Sequence, residues 1–190
     1  MSITSTRPPL WPWFTRLISG QPHQIIGEPT PFLRRWYLLP KTKWFKVYLH
    51  QFVRSDDDRA LHDHPWSFTS LVLRGGYDEI TENKLIRRRP GSFAFRPATV
   101  CHRVVLRPRP CPSCKGTGIG WGRIPSGWLE TDCGHCDGSG RVGENPSWTL
   151  IITGPKVREW GFWCPPRVAG AAKRFVHWRQ WGRAGCGEYT

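Results

Sequence analysis

Apolar and polar residues alternate with a period of two along most of the chain. PFLRRWYLLP (31–40) and WFKVYLHQFVR (44–54) are rich in aromatic and branched residues and bounded by proline or aspartate clusters, which predicts strands. Ser55, Asp56, Asp57 and Asp58 predict a turn. A strand over 62–73 follows, then a Gly75-Gly76 turn, short strands at 77–81 and 84–89, a Pro90-Gly91 turn, and strands at 92–96 and 101–107. Alternation returns at 147–154 and 157–163, with a last element around Arg174–Trp178. Helical periodicity is nearly absent. Only the Pro- and Trp-rich opening allows a short helix or irregular arm, packed by Trp11, Trp13 and Phe14. About ten short strands, with turns roughly every eight to twelve residues, predict an all-β sandwich or barrel.

Residues 108–146 interrupt this pattern. The stretch starts with PRPCP, is rich in glycine and lacks alternation, so it reads as an insert between two adjacent strands. A loop of that length without regular structure of its own needs a staple. The organisation expected is an N-terminal arm (1–24), a β domain (25–107 and 147–190) and the inserted element (108–146). The staple is CPSCKGTG (111–118) and CGHCDGSG (133–140), in which Cys111, Cys114, Cys133 and Cys136 form two C-x-x-C pairs separated by 18 residues. Four thiolates at such spacing hold one structural zinc tetrahedrally, with no open position for catalysis. Two disulfides or free thiols are the alternative. His135, inside the second pair, reads as a surface residue. Cys101, Cys164 and Cys186 have no evident partners, and Cys101 reads as packing.

The histidines carry the candidate chemistry. His62 and His64 are two apart, so on one strand they share a face. His102 lies in a β-branched run after two turns and can arrive on a neighbouring strand. Three neutral imidazoles converging this way could hold one divalent cation and leave positions open. Imidazole suits Fe(II), Mn(II), Ni(II), Co(II) and Zn(II) alike. With His64 inward, alternation places Trp66, Phe68 and Ser70 on the same face, and Trp66 and Phe68 would make the pocket wall apolar. Arg96 could reach a substrate carboxylate or phosphate. Tyr77, His50, Arg158 and Glu159 are further rim candidates. Each of these also reads as an ordinary surface or edge-strand residue. His23 and His177 read as surface residues.

At 190 residues the chain can bury one good core. The 28 Lys+Arg against 14 Asp+Glu give a formal charge of +14, which attracts nucleic acid, phosphorylated ligands or acidic surfaces. The excess is mostly arginine scattered along the chain, which also fits solvated faces. No apolar run approaches a membrane span, and MSITSTRPPLWPWFTRLISG does not read as a signal peptide. Seven cysteines without an export signal point to a reducing, cytoplasmic setting.

The pattern His62-x-His64 with Gly75 eleven residues on, followed by Pro97-x-x-x-x-His102, resembles the two motifs of the cupin family. Phe68 occupies the first motif's glutamate position; Thr99 and Leu106 replace the second motif's glycine and asparagine. The resemblance covers about 44–106 and, through the strand pattern, 147–163. The chain also looks similar to bacterial and phage cupin-like proteins that share LHDHPW, LRGGY and GPxVREWGF. The CxxCxGxG octets resemble half of the zinc domain of DnaJ-type chaperones, whose activity is not carried over. The cupin resemblance implies a jelly roll, a metal at His62, His64 and His102 without a carboxylate ligand, as in thiol dioxygenases, and Fe(II) as the favoured ion.

Three functions are thus expected. The first is a metal-dependent oxygenase acting on a small polar or anionic substrate. The second is a non-catalytic binding module that uses its basic surface and zinc knuckle to hold nucleic acid or protein. The third is a sugar-phosphate isomerase or epimerase. The resemblance also makes a homodimer, paired through the sheets, conceivable.

Overall fold

The computed structural model describes residues 10–27, 29–56, 60–166, 168, 170–181 and 185–186. Asp57 and Asp58 of the predicted turn, the first nine residues of the arm and the last four of the chain lie outside the described residues.

The elements run α1 (Leu10–Ile18), β1 (Gln24–Ile26), β2 (Leu33–Tyr37), β3 (Lys46–Phe52), β4 (Leu61–His62), β5 (Phe68–Arg74), β6 (Tyr77–Thr81), β7 (Leu85–Arg88), β8 (Phe93–Arg96) and β9 (His102–Leu106). Then come β10 (Pro108–Pro110), β11 (Ile119–Ile124), β12 (Gly127–Asp132), β13 (Arg141–Glu144), β14 (Ser147–Thr153), β15 (Gly161–Cys164) and β16 (Arg174–His177), followed by a short 3-10 turn at Trp178–Gln180.

Two antiparallel sheets face each other. The first has the order β1-β2-β3-β14-β5-β8 and the second β16-β15-β4-β9-β6-β7. When β3 to β9 and then β14 are counted one to eight, the sheets contain 1-8-3-6 and 2-7-4-5. This is the double-stranded β-helix, a jelly roll of the cupin type. β1 and β2 widen the first sheet; β15 and β16 widen the second. Burial alternates as the sequence predicts: Tyr48 and His50 on β3, Ser70 and Val72 on β5, and Thr149 and Ile151 on β14 face inward. The aromatic and aliphatic core groups Tyr37, Tyr48, Phe68 and Ile151 at one end and Val72, Tyr77, Val104 and Leu106 at the other. The Gly75-Gly76 turn joins β5 to β6. Gly75 has φ +78, and a Cβ there would stand 2.3 Å from the Pro146 carbonyl oxygen, so no other residue fits without backbone movement.

The opening does form a helix. Trp13 packs on the core and donates Nε1–H to the Tyr37 carbonyl (2.8 Å), whereas Trp11 and Phe14 are exposed. His23 is half-buried rather than superficial: Nε2 lies 3.0 Å from the Trp13 carbonyl, and Nδ1 accepts from the Tyr37 amide.

Two expectations fail here. The insert is not devoid of regular structure, because β10 pairs with β13 and β11 forms a hairpin with β12. That hairpin exposes Trp121 and Trp128, so neither face shows the buried half that makes a strand legible. Cys164 and Cys186 are also not partnerless; they form a disulfide that ties the segment after β16 to β15. This weakens the inference of a reducing compartment from the cysteine count. Among the described residues no helix is long and apolar enough to cross a membrane.

Candidate metal centres

The predicted strand over 62–73 is broken. β4 ends at His62, and β5 starts at Phe68. Pro65 lacks an amide for the ladder, so His64 lies in an irregular segment rather than on a strand, and the chain bends just after it at Pro65 and Trp66. Trp66, in the same bend, half-buried against the core, is likewise not placed by strand alternation. Asp63, between the two histidines, is wholly buried and pins that bend. It accepts from the Gly161 amide (2.9 Å), Trp163 Nε1–H (3.0 Å) and Arg158 Nη1 (2.8 Å), while the His64 amide donates to the Ala98 carbonyl (3.1 Å). His62 faces His102 directly across the β4–β9 pairing, with Phe162 on its other side.

The three imidazoles converge. Their ring centroids are 5.0–5.1 Å apart, and one ligand nitrogen from each lies within 4.8 Å of the others. His64 Nε2 and His102 Nε2 are 2.8 Å apart. Two neighbouring bonds of about 2.1 Å to one cation, at roughly a right angle, bring such nitrogens about 3 Å apart. Phe68 packs edge-on to His64 (4.7 Å), and Trp160 and Phe162 flank His62. Burial first, and then the neighbouring imidazoles, push the pKa of His62 down to about 3 and that of His64 well below its ordinary value. Both rings therefore present lone pairs, as a cation requires.

A carboxylate that the sequence reading passed over completes the site. Glu79 on β6 is buried and accepts from His102 Nδ1 (2.9 Å), Arg88 Nε (2.8 Å) and Arg96 Nε (2.7 Å). With Nδ1 engaged, His102 is held with Nε2 toward the other imidazoles, the arrangement of a carboxylate–histidine–metal relay. The available signal was an acid at an inward alternation position of YDEIT, with two arginines on following strands.

The other candidates fall outside the cluster. Arg96 does not offer a free guanidinium, because Glu79 takes it. Tyr77 is buried against Phe52 in the core. Arg158 is spent on Asp63, while Glu159 is exposed and pairs with Lys156 and His177. His50 is buried in the barrel and accepts from Arg35 Nε (2.8 Å). Ser70 faces inward with Phe68, as alternation places it, and Thr149 and Thr153 beside them make the barrel wall more polar than the apolar lining expected from Trp66 and Phe68.

The second centre lies in the insert. Cys111 Sγ is 3.9 Å from Cys133 Sγ, and Cys114 Sγ is 3.8 Å from Cys136 Sγ, with all four buried and within 4.8 Å of one another. Four bonds of about 2.3 Å, tetrahedrally arranged, separate sulfurs by about 3.8 Å, so the cluster could hold zinc. The two octets repeat each other in space. The Gly118 amide donates to Cys114 Sγ and the Gly140 amide to Cys136 Sγ, both at 3.2 Å. His135 is exposed and takes no part.

No family model matches the chain, and no curated protein matches it. Solved structures do. The chain is similar to an uncharacterized conserved protein with a double-stranded β-helix domain from Klebsiella pneumoniae, with 12% identity and TM-score 0.43 over 73% of this chain and 89% of that one. It is also similar to a cupin superfamily protein from Desulfitobacterium hafniense, with 12% identity and TM-score 0.40 over 68% and 82%. A third likeness is to the DMSP lyase DddQ from Ruegeria pomeroyi, with 12% identity and TM-score 0.41 over 70% and 52%. Such likenesses concern the β-helix frame alone, and the strand order itself defines the fold.

Proposed function

We propose that this chain is a metal-dependent jelly-roll enzyme, most simply an oxygenase acting on a small polar or anionic substrate. In this reading His62, His64 and His102 hold one divalent cation, Fe(II) by preference, and the four cysteines hold a structural zinc. The observation that carries it is the meeting of three imidazoles from two distant parts of the chain, with one ligand nitrogen of each within 4.8 Å of the others. A cation held there supplies Lewis acidity and, as Fe(II), access to dioxygen chemistry. The chain's own contribution is to orient His102 through Glu79, to fix the His62–His64 segment through Asp63, and to keep water off one side with Phe68, Trp160 and Phe162.

Metal analysis tests it. The purified chain is expected to carry about two metal equivalents. His62→Ala or His102→Ala removes one, and Cys111→Ser removes the other. Fe(II)-loaded protein screened against small acids should then consume oxygen, with the histidine variants inactive. Histidine variants that retain their full metal content would sink the enzyme reading. The competing reading, a nucleic-acid or protein-binding module, is favoured by the exposed Trp121 and Trp128, the latter opposite Arg123 on the zinc hairpin. Tight, steeply salt-dependent nucleic-acid binding, unaffected by the histidine variants, would select it.

A further inference from the structure

The barrel face of the first sheet carries positive charge that the protein does not neutralise. Arg35 on β2 stands opposite His50 on β3, and Lys46 on β3 stands opposite Thr153 on β14. Arg35 donates Nε–H to His50 and Nη1–H to Gln24 Oε1 (3.2 Å), and its guanidinium lies 4.7 Å from the Tyr48 ring centre. Lys46 Nζ lies 4.5 Å from the Trp66 ring centre. Among the described residues, the ion pairs engage neither side chain, in contrast to Arg88, Arg96, Arg107 and Arg158. His50 cannot serve as a counter-charge, because it is a neutral acceptor.

The same wall holds two hydroxyls without partners. Thr149 Oγ1 and Thr153 Oγ1 are buried with no hydrogen bond, at residues 0% and 2% exposed. Thr149 stands opposite His50 and Thr153 opposite Lys46. Half-buried cations without an acid and buried hydroxyls without a partner are both costly, and one ligand would relieve both. Five N–H donors on a guanidinium exceed the acceptors His50, Gln24 and Tyr37 around Arg35, so donors are left over for a planar oxyanion. The wall adjoins the imidazoles, because Thr153 is paired with Phe68, whose ring meets His64 at 4.7 Å.

We infer that this wall is the substrate anchor: a small molecule bearing a carboxylate or phosphate places its oxyanion on Arg35 and Lys46, with the Thr149 and Thr153 hydroxyls alongside, and its other end reaches the three histidines. This assigns the substrate class of the site proposed above and rests on that reading. The anchor is Arg35, not Arg96, which Glu79 has already claimed.

The test titrates the metal-loaded full chain with succinate and with methyl phosphate by calorimetry at neutral pH and fixed ionic strength. Saturable one-to-one binding of at least one of them is expected, and the tighter one identifies the acid group. Arg35→Gln should weaken it by at least about tenfold, and Lys46→Gln by several-fold. Arg35→Lys should fall between, keeping charge but losing the planar fork. Arg123→Gln, exposed on the zinc hairpin, should change nothing. Metal content, read separately, should be the same in all four. If Arg35→Gln does not fold, Arg35→Lys and Lys46→Gln carry the test. No saturable binding of either acid, or equal binding in wild type and the Arg35 and Lys46 variants, overturns the anchor. Anion binding that depends on Arg35 in a chain whose histidines load no metal supports the anchor and refutes the metal reading.

Discussion

Glu79 is a buried carboxylate surrounded by three donors, and its state is set by them. Burial alone would raise its pKa; hydrogen bonds from His102, Arg96 and Arg88 outweigh that and hold it well below the usual carboxylate range. Its single negative charge is shared by two guanidinium groups, those of Arg88 and Arg96, and it fixes the His102 ring of the three-histidine cluster. Glu79→Gln removes the charge while preserving shape. The expected result is a loss of about 3–5 kcal/mol of stability, from breaking a buried ion-pair network. The histidine site should also lose about 10–100-fold in metal affinity, from freeing His102. Denaturant melts read the first and chelator competition the second. Unchanged metal affinity in the folded variant would remove Glu79 from the site and leave it a purely structural acid.

The cysteine knuckles show most clearly which elements a sequence can disclose. Gly118 and Gly140 each bring an amide to a cysteine sulfur, and each is packed against the opposite octet. A Cβ on Gly118 would stand 2.2 Å from the Gly138 carbonyl oxygen, and one on Gly140 would stand 2.4 Å from that of Gly116. Gly134, between the second pair of cysteines, meets nothing within 4 Å. Gly118→Ala should therefore weaken zinc retention by roughly tenfold or more, since the octets must part by about 1 Å to admit the methyl. Gly134→Ala should be close to neutral. Equal zinc release by the two variants would show that the close approach is not what holds the knuckles. This element was legible because thiol chemistry demands a fixed spacing. The hairpin it carries was not, because IGWGRI and GWLETD bury neither face. The strands of the barrel were legible through alternation, and His62, His64 and His102 through their converging positions. The break after His62 was hidden because Pro65 overrides the local β pattern. Glu79 and Arg35 were hidden because only the folded sheets show which charges find partners. The same holds for Cys164 and Cys186, whose pairing depends on β15 and the segment after β16 lying together.

Across the whole molecule, 28 basic side chains face 14 acidic ones, so at least half of the bases have no acid of their own. The barrel puts part of that surplus inside, on Arg35 and Lys46, beside aromatic residues that stay uncharged. Burial is the first cause of the tyrosine shifts: it raises both Tyr48 and Tyr77 to about 12, despite the opposing pull of Arg35 on the first and of Arg88 on the second. The consequence for stability has a definite sign. Below about pH 10 both phenols are protonated in the folded and unfolded chains, and neither contributes a pH dependence. Between about pH 10 and the folded value of about 12, the unfolded chain loses its protons and the folded one keeps them. Unfolding is then favoured as pH rises, by up to about 1.4 kcal/mol per pH unit for each tyrosine. Lysines and free thiols titrate over the same range, so the slope alone does not isolate the phenols. Tyr48→Phe and Tyr77→Phe do, since each removes one phenol and leaves every other group in place. Urea unfolding at about pH 9 and about pH 11.5 should show a smaller alkaline loss in each single variant than in the wild type, and the smallest in the double variant. Identical losses in all four proteins would mean that the barrel admits hydroxide to its tyrosines, and that its interior is not the low-dielectric enclosure the burial of Tyr48 and Tyr77 implies.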